Sequence, residues 1–85
     1  MTIQLVFLAR LRERFGVSRE VFALSTDIAT VSELLASLRE RGGAFAEELA
    51  PTRAFRVAVN QNVVALDHPV VAGDEVAIFP PVTGG

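Results

Sequence analysis

Hydrophobic and polar residues alternate at the start of the chain and predict a strand from Ile3 to Leu8. Residues 3, 5 and 7 would face one side of a sheet, and residues 4, 6 and 8 the other. A short helical pattern follows over residues 10–15, with Gly16 as its stop. A second strand is predicted over residues 20–24, and the short connection favours an antiparallel pair.

The clearest pattern is that of a helix over residues 31–41. Thr30 and Glu33 have the spacing of a capping box, in which each side chain binds a backbone N–H at the start of a helix. Gly42 follows its last turn. The apolar residues recur at i, i+3, i+4 and i+7 and form one stripe: Val31, Leu34, Leu35 and Leu38.

The second half of the chain is rich in strands. After a short helix ended by Pro51, the pattern predicts the following segments: helix 44–50, strand 55–59, turn 60–62, strand 63–66, turn 67–69 and strand 75–79. One amphipathic helix among several strands is most simply packed across one face of a mixed sheet. The fold class is therefore α+β, in a ubiquitin-like β-grasp arrangement with an extended C-terminal tail.

Strand parity divides the apolar residues between two faces of this sheet. The face toward the helix should contain the core, made of Leu5, Phe7, Leu34, Leu38, Val57, Val59 and Ile78. The outer face should carry Val6 and Ala77 between larger exposed side chains. An exposed apolar patch often marks a partner site, and we expect one formed by Leu8, Val63 and Phe79.

Composition narrows the possible functions. The chain has 85 residues, enough for one domain, and a net charge of −2, so it lacks the basic surface of a nucleic-acid-binding protein. No apolar run is long enough for a membrane helix. The start, Met1-Thr2, has no basic leader, so we expect a cytoplasmic location. All eight basic residues are arginine, which a compositional bias explains most simply.

Residues for ordinary catalysis are few. The chain has no Cys and no Tyr, and its one histidine, His68, lies in a predicted turn without further metal ligands, so no metal site is expected. The adjacent acids Glu47-Glu48 and Asp74-Glu75 are expected to form solvated surface, because neighbouring side chains do not converge. Gly42-Gly43 lacks the other residues of a phosphate-binding loop.

The remaining candidate is the end of the chain. We divide the sequence into a domain at residues 1–79 and a flexible tail at residues 80–85. Pro80-Pro81 favours an extended backbone that leaves the sheet as a stiff stem. Gly84-Gly85 has no side chains at its tip, and six residues span about 20 Å. The carboxylate of Gly85 could thus enter a deep pocket of another protein.

Three segments of the sequence resemble one family. They are Val59-Asn60-Gln61, Asp67-His68-Pro69-Val70 and the final run from Gly73 to Gly85, which reads Gly-Asp-Glu-Val-Ala-Ile-Phe-Pro-Pro-Val-Thr-Gly-Gly. Together they closely resemble the small, sulfur-carrying subunits of molybdopterin synthases, and the resemblance covers the whole chain in length and element order. Residues 43–54 match no motif of that family.

This resemblance implies a mechanism and a set of partners. A ubiquitin-activating-like adenylyltransferase would use ATP to adenylate Gly85, and a sulfur donor protein would then convert it to a thiocarboxylate. The tail residues Pro80, Pro81, Val82, Thr83 and Gly84 would insert into the large subunit of molybdopterin synthase, within a heterotetramer. Sulfur would pass there to cyclic pyranopterin monophosphate. The chain itself would bind no cofactor and would be a non-catalytic carrier, because the large subunit would supply the active site.

Two other functions remain open. A sulfur carrier for thiazole or cysteine synthesis has a similar Gly-Gly end, although the Phe79-Pro80-Pro81 stem and the helical segment before Pro51 disfavour it. A ubiquitin-like protein modifier would instead form isopeptide bonds with lysines of its targets. A plain β-grasp binding module would not need a free Gly-Gly end.

Overall fold

The chain folds around one mixed five-stranded sheet in the computed structural model, which describes residues 1–81. The elements are β1 Thr2–Phe7, α1 Ala9–Phe15, β2 Arg19–Ala23, α2 Val31–Arg39, α3 Gly43–Glu48, β3 Arg56–Val59, β4 Asn62–Val64 and β5 Glu75–Phe79. The sheet order is β2-β1-β5-β3-β4, in which β1 and β5 are parallel and the other neighbours antiparallel. None of the helices in residues 1–81 has the length and apolar character needed to span a membrane.

The core lies between α2 and one face of the sheet. In the register, Leu5 stands beside Val76, and Ile78 stands beside both Phe7 and Val57. The predicted core is confirmed, since every one of its seven residues is at least 96% buried. The predicted β-grasp arrangement, a mixed sheet covered on one face by a helix, is confirmed as well. The division into residues 1–79 and 80–85 stays a prediction.

A local capping box holds the start of α2. The predicted capping box is confirmed: the Thr30 hydroxyl accepts from the Glu33 N–H, and the Glu33 carboxylate accepts from the Thr30 N–H at 3.0 Å. The helix ends at Arg39 rather than at the predicted Arg41. Its last turn tightens, because the N–H of Arg41 donates to the carbonyl of Leu38, three residues back.

Two predicted elements in the second half end earlier than expected. The strand predicted over residues 63–66 is β4 at 62–64, because the carbonyl of Leu66 turns away to accept from the Ser32 N–H of α2. The helix predicted over residues 44–50 ends at Glu48, before Pro51. Leu49 leaves the helical conformation there and is completely buried.

The first strand also ends earlier than predicted, at Phe7. Leu8 is the N-cap of α1 and does not belong to β1. Its backbone is still extended, and its N–H donates to the carbonyl of Ile78 at 3.2 Å. Leu8 therefore remains next to β5, although the chain enters helix α1 directly after it.

We predict that truncating the buried face of α2 destabilises the whole domain. Leu34 and Leu38 have no exposed surface, so replacing either by Ala should lower the free energy of unfolding by about 2–5 kcal/mol through lost burial and a residual cavity. Urea unfolding followed by circular dichroism measures this. Leu66→Ala is the matched control, because that side chain is 49% exposed and should cost far less. Equal midpoints for all three variants would show that the helix face is misassigned.

Candidate functional site

The tail begins at the end of β5, the central strand of the sheet. Phe79 is the last residue of this strand, and Pro80 and Pro81 continue from it, each half-buried. The other tail residues singled out in the sequence, Val82, Thr83, Gly84 and Gly85, lie outside the described residues. The structure therefore places the origin of the tail, and the assignment of Gly85 as the reactive residue stays a prediction.

A row of small apolar side chains crosses the outer face of the sheet, opposite α2. Val6 pairs with Ala77, Ala77 with Ala58, and Ala58 with Val63. The two middle residues, Ala77 and Ala58, are small, so the centre of the outer face carries little side-chain volume. Val63 on the edge strand β4 is 65% exposed. The predicted parity of Val6, Ala77 and Phe79 is consistent with this register.

Of the larger apolar side chains predicted for a partner interface, Leu8 and Phe79 lie on the tail side of this row, and Val63 belongs to the row itself. Phe79 is half-buried at the end of β5 and has Arg56 of β3 as its cross-strand neighbour. Leu8 is 42% exposed, and its backbone bond to Ile78 places it one strand away. Leu8 and Phe79 thus lie near the origin of the tail, and Val63 lies on the far edge strand. Their role as an interface stays a prediction.

An open cavity of about 320 Å³ adjoins the two prolines. It is enclosed by the first turn of α1, by the end of α3 and by the segment that leads into β3. Among these residues, Glu48 comes from α3 and Arg10 from α1. The lining residues are Arg10, Leu11, Glu48, Arg53, Ala54, Pro80 and Pro81.

The carboxylate of Glu48 joins α3 to α1 beside this cavity. Glu48 is only 5% exposed, so the expectation that Glu47-Glu48 forms solvated surface was wrong for this residue. Its Oε2 accepts from Arg14 at 3.0 Å and from Arg10 at 3.1 Å. Burial opposes ionisation, but these two hydrogen bonds and the charges of Arg10 and Arg53 outweigh it and lower the pKa of the Glu48 carboxyl below its ordinary value.

An aromatic cluster fixes the other side of α3. The ring of Phe45 stacks on Phe15 of α1 with 4.1 Å between centroids, and both rings contact Phe7 edge to face. The guanidinium of Arg41 lies 4.8 Å from the centre of the Phe45 ring and forms an ion pair with Glu20 of β2. This segment, residues 43–54, matched no motif in the sequence. The spacing of Phe45 and Leu49, two apolar residues four positions apart, was the available signal.

The second acidic pair also has a structural role. Asp74 is 9% exposed, so the expectation of solvated surface was wrong for it too. Its carboxylate accepts from the side-chain amide of Asn60 and from the N–H of Val71, each at 2.9 Å. These bonds tie the β3–β4 turn to the start of β5. His68 lies in a turn as predicted, and its Nδ1 is 2.8 Å from the carbonyl oxygen of Pro69.

Comparison with known proteins gives consistent matches over the whole chain. The model of the ThiS family matches residues 5–85. The molybdopterin synthase sulfur carrier subunit of Escherichia coli is 39% identical over 98% of this chain and 99% of that protein. The small archaeal modifier protein 3 of Haloferax volcanii is 34% identical over 100% of both chains. Among solved structures, SAMP1 from Haloferax volcanii superposes with a TM-score of 0.78 at 28% identity and covers 100% of both chains.

We predict that Glu48 stabilises the fold in a pH-dependent way. Because its pKa is lower in the folded state, its contribution is present above the ordinary value of 4.5 and is lost as the pH falls through the folded-state pKa. Glu48→Gln should therefore be less stable than the parent at pH 7, and the gap should close on acidification. Urea unfolding of both proteins from pH 7 to pH 3 measures it.

Glu47→Gln is the matched control for this prediction. It removes a carboxylate from the same helix that is 63% exposed, and exposed ion pairs contribute little to stability. A gap between the parent and Glu48→Gln that stays constant with pH would contradict the ionised, hydrogen-bonded state of Glu48.

Proposed function

This chain belongs to the ThiS family, and from that premise we propose that it is the sulfur-carrier subunit of a molybdopterin synthase. The observation that carries the proposal is the full-length match to the Escherichia coli protein of that name, at 39% identity. The match of the family model extends to residue 85 and so includes the Phe-Pro-Pro-Val-Thr-Gly-Gly end of the sequence. The working group would be the carboxylate of Gly85.

The chemistry of a carboxylate explains why such a carrier needs an activating enzyme. A carboxylate is a poor electrophile, so sulfur cannot displace its oxygen directly. In the proposed route, one oxygen of the Gly85 carboxylate attacks the α-phosphate of ATP and releases pyrophosphate. Hydrosulfide supplied by a donor protein then attacks the carbonyl carbon, the bond to AMP breaks so that AMP leaves with one carboxylate oxygen, and a thiocarboxylate remains on Gly85.

The charged tail then delivers its sulfur in a second protein. We propose that it inserts into the large subunit of molybdopterin synthase, where the sulfur attacks cyclic pyranopterin monophosphate. Water then hydrolyses the resulting thioester, so that the sulfur stays on the pterin and Gly85 regains its carboxylate. Two such transfers complete the dithiolene, which fits a heterotetramer of two carriers and two large subunits. The large subunit supplies the active site, and this chain is a carrier without catalytic groups of its own. These steps take place in the cytoplasm.

The geometry at the origin of the tail supports this role. Pro80 and Pro81 follow directly from a central strand, so the stem starts from a fixed point of the domain. Proline restricts the backbone of both residues, which lowers the entropy lost when the stem enters a channel. We propose that the outer face with Leu8, Val63 and Phe79 docks against the large subunit and against the adenylyltransferase in turn.

A second function is favoured by one specific observation. The Haloferax volcanii relative at 34% identity is named a small archaeal modifier protein, so this chain could be joined through Gly85 to lysines of other proteins. A sulfur carrier for thiazole or cysteine synthesis is a third candidate within the same family. The product distinguishes them, since only a modifier leaves the carrier attached to a target by an isopeptide bond.

We predict that the last residue is required for sulfur transfer but not for folding. Deleting Gly85 should abolish molybdopterin formation in a reaction reconstituted from the carrier, the large subunit, the adenylyltransferase, ATP and a sulfur donor. Gly84→Ala should reduce the rate more mildly, because a Cβ narrows the fit of the tail in its channel. The control is the unfolding curve of each variant, which should match that of the parent. Molybdopterin formation without Gly85 would contradict the proposal.

We also predict that the outer face binds both partners. Phe79→Asp or Leu8→Asp places a charge in the apolar surface near the tail, so either should weaken binding to the large subunit and to the adenylyltransferase. Titration calorimetry measures the affinity, and circular dichroism checks the fold. Val71→Asp is the control, because Val71 is 60% exposed and lies in the turn before β5, at the end of the sheet opposite the tail. Unchanged affinities of Phe79→Asp and Leu8→Asp would contradict a docking face that both partners share.

A further inference from the structure

Two grooves flank the point where the tail leaves the domain. The first is the cavity beside Pro80 and Pro81. The second, of about 600 Å³, lies between α2 and the strands β3 and β4. They share Arg53 and Ala54 in their walls, so they are adjacent, and we describe them together as one depression beside the stem. Any protein that takes up the tail must approach this depression closely.

The charged residues that line this depression are nearly all arginines. Among residues 1–81, four arginines line it, together with a single carboxylate, that of Glu48. The surroundings of the stem are therefore positive, although the whole chain has a net charge of −2. We call these four residues the stem arginines: Arg10, Arg39, Arg53 and Arg56.

The one carboxylate does not neutralise this surface. Glu48 is 5% exposed and already accepts hydrogen bonds from Arg10 and Arg14. The side chain of Arg10 is still 56% exposed despite that contact. Within residues 1–81, Arg53 and Arg56 form no salt bridge, and both are exposed. Their guanidinium groups are thus available to a further anionic partner.

A group of acidic residues lies on the opposite side of α2. A third depression is lined there by Asp27, Glu33 and Glu40 and, in the described part of the chain, by no basic residue. Helix α2 contributes Arg39 to the stem side and Glu33 to the other, and Glu40 directly follows the helix. Around α2, the arginine side and the carboxylate side are thus separate.

We propose that the stem arginines bind acidic side chains around the mouth of the partner channel that receives the tail. This inference rests on the proposed function and names the chemistry by which the tail is guided. Arginine suits the task, because its planar guanidinium can donate two parallel hydrogen bonds to one carboxylate. Charges at the rim of an interface act mainly on the rate of association, by orienting the partners before they touch. The arginines would thus direct the tail toward the channel.

The test compares two double variants with the same change in net charge. Arg53→Gln/Arg56→Gln removes two positive charges from the stem side. Thr26→Glu/Ala36→Glu adds two negative charges at exposed positions around the acidic depression. Both variants thus become more negative by the same amount. Neither double variant replaces a residue of the predicted apolar interface or of the tail. Because Arg56 is the cross-strand neighbour of Phe79, the salt dependence of the rate is needed to separate lost charge from an altered apolar contact. Unfolding curves check that both variants fold.

The measured quantity is the rate constant of association with the large subunit, by stopped flow, at several salt concentrations. For Arg53→Gln/Arg56→Gln we expect association at low salt to slow on the order of tenfold. The difference from the parent should shrink as salt screens the charges. The control variant should stay close to the parent at every salt concentration.

Three results would count against the proposal, and they differ in what they contradict. Equal rates and equal salt dependence for the parent and Arg53→Gln/Arg56→Gln would overturn the inference alone. Equal slowing in both double variants would also overturn it, because net charge and not the stem arginines would then control association. Absence of any binding between the parent chain and the large subunit would contradict the proposed function itself, and the inference with it.

Discussion

The parallel pairing of the first and last strands is the constraint on which the rest of the structure depends. It aligns Leu5 with Val76 and Phe7 with Ile78, all of them completely buried. Because β3 pairs with the other edge of β5, the last strand lies between two neighbours at the centre of the sheet. A central strand resists fraying, since both edges are hydrogen-bonded. The tail therefore begins at one of the most constrained points of the fold.

The same pairing organises the residues around the stem. As β1 ends beside β5, it leads directly into α1, whose arginines meet Glu48 of α3 next to the prolines. The aromatic stack of Phe15 on Phe45 holds these two helices together from the other side. A segment that matched no motif in the sequence is thus packed against the base of the tail. It fixes the shape and charge of the surface beside Pro80 and Pro81.

The elements that could be predicted from the sequence are those whose signals are local. The start of α2 was predicted correctly, because Thr30 and Glu33 are three residues apart and satisfy each other. The bounds of β5 were also correct, since alternation and the preceding Gly73 define it. The end of β4 was missed, because it depends on the bond from Ser32 to the carbonyl of Leu66, across the fold. The buried state of Glu48 depends on arginines 34 and 38 residues away, which no spacing along the chain could reveal.

The candidate site could be predicted only in part. The tail residues at the end of the chain could be proposed from the tail sequence and from the family resemblance. The arginines around the origin of the tail became visible only in the packed structure.

The central claim is that the carboxylate of Gly85 carries sulfur, and the mass of the intact chain tests it most directly. The chain would be incubated with the adenylyltransferase, ATP and a sulfur donor, and then measured by mass spectrometry alongside a reaction without ATP. The account predicts an ATP-dependent mass increase equal to the replacement of one oxygen by one sulfur, located by fragmentation at Gly85. An unchanged mass, or a sulfur found elsewhere in the chain, would contradict it.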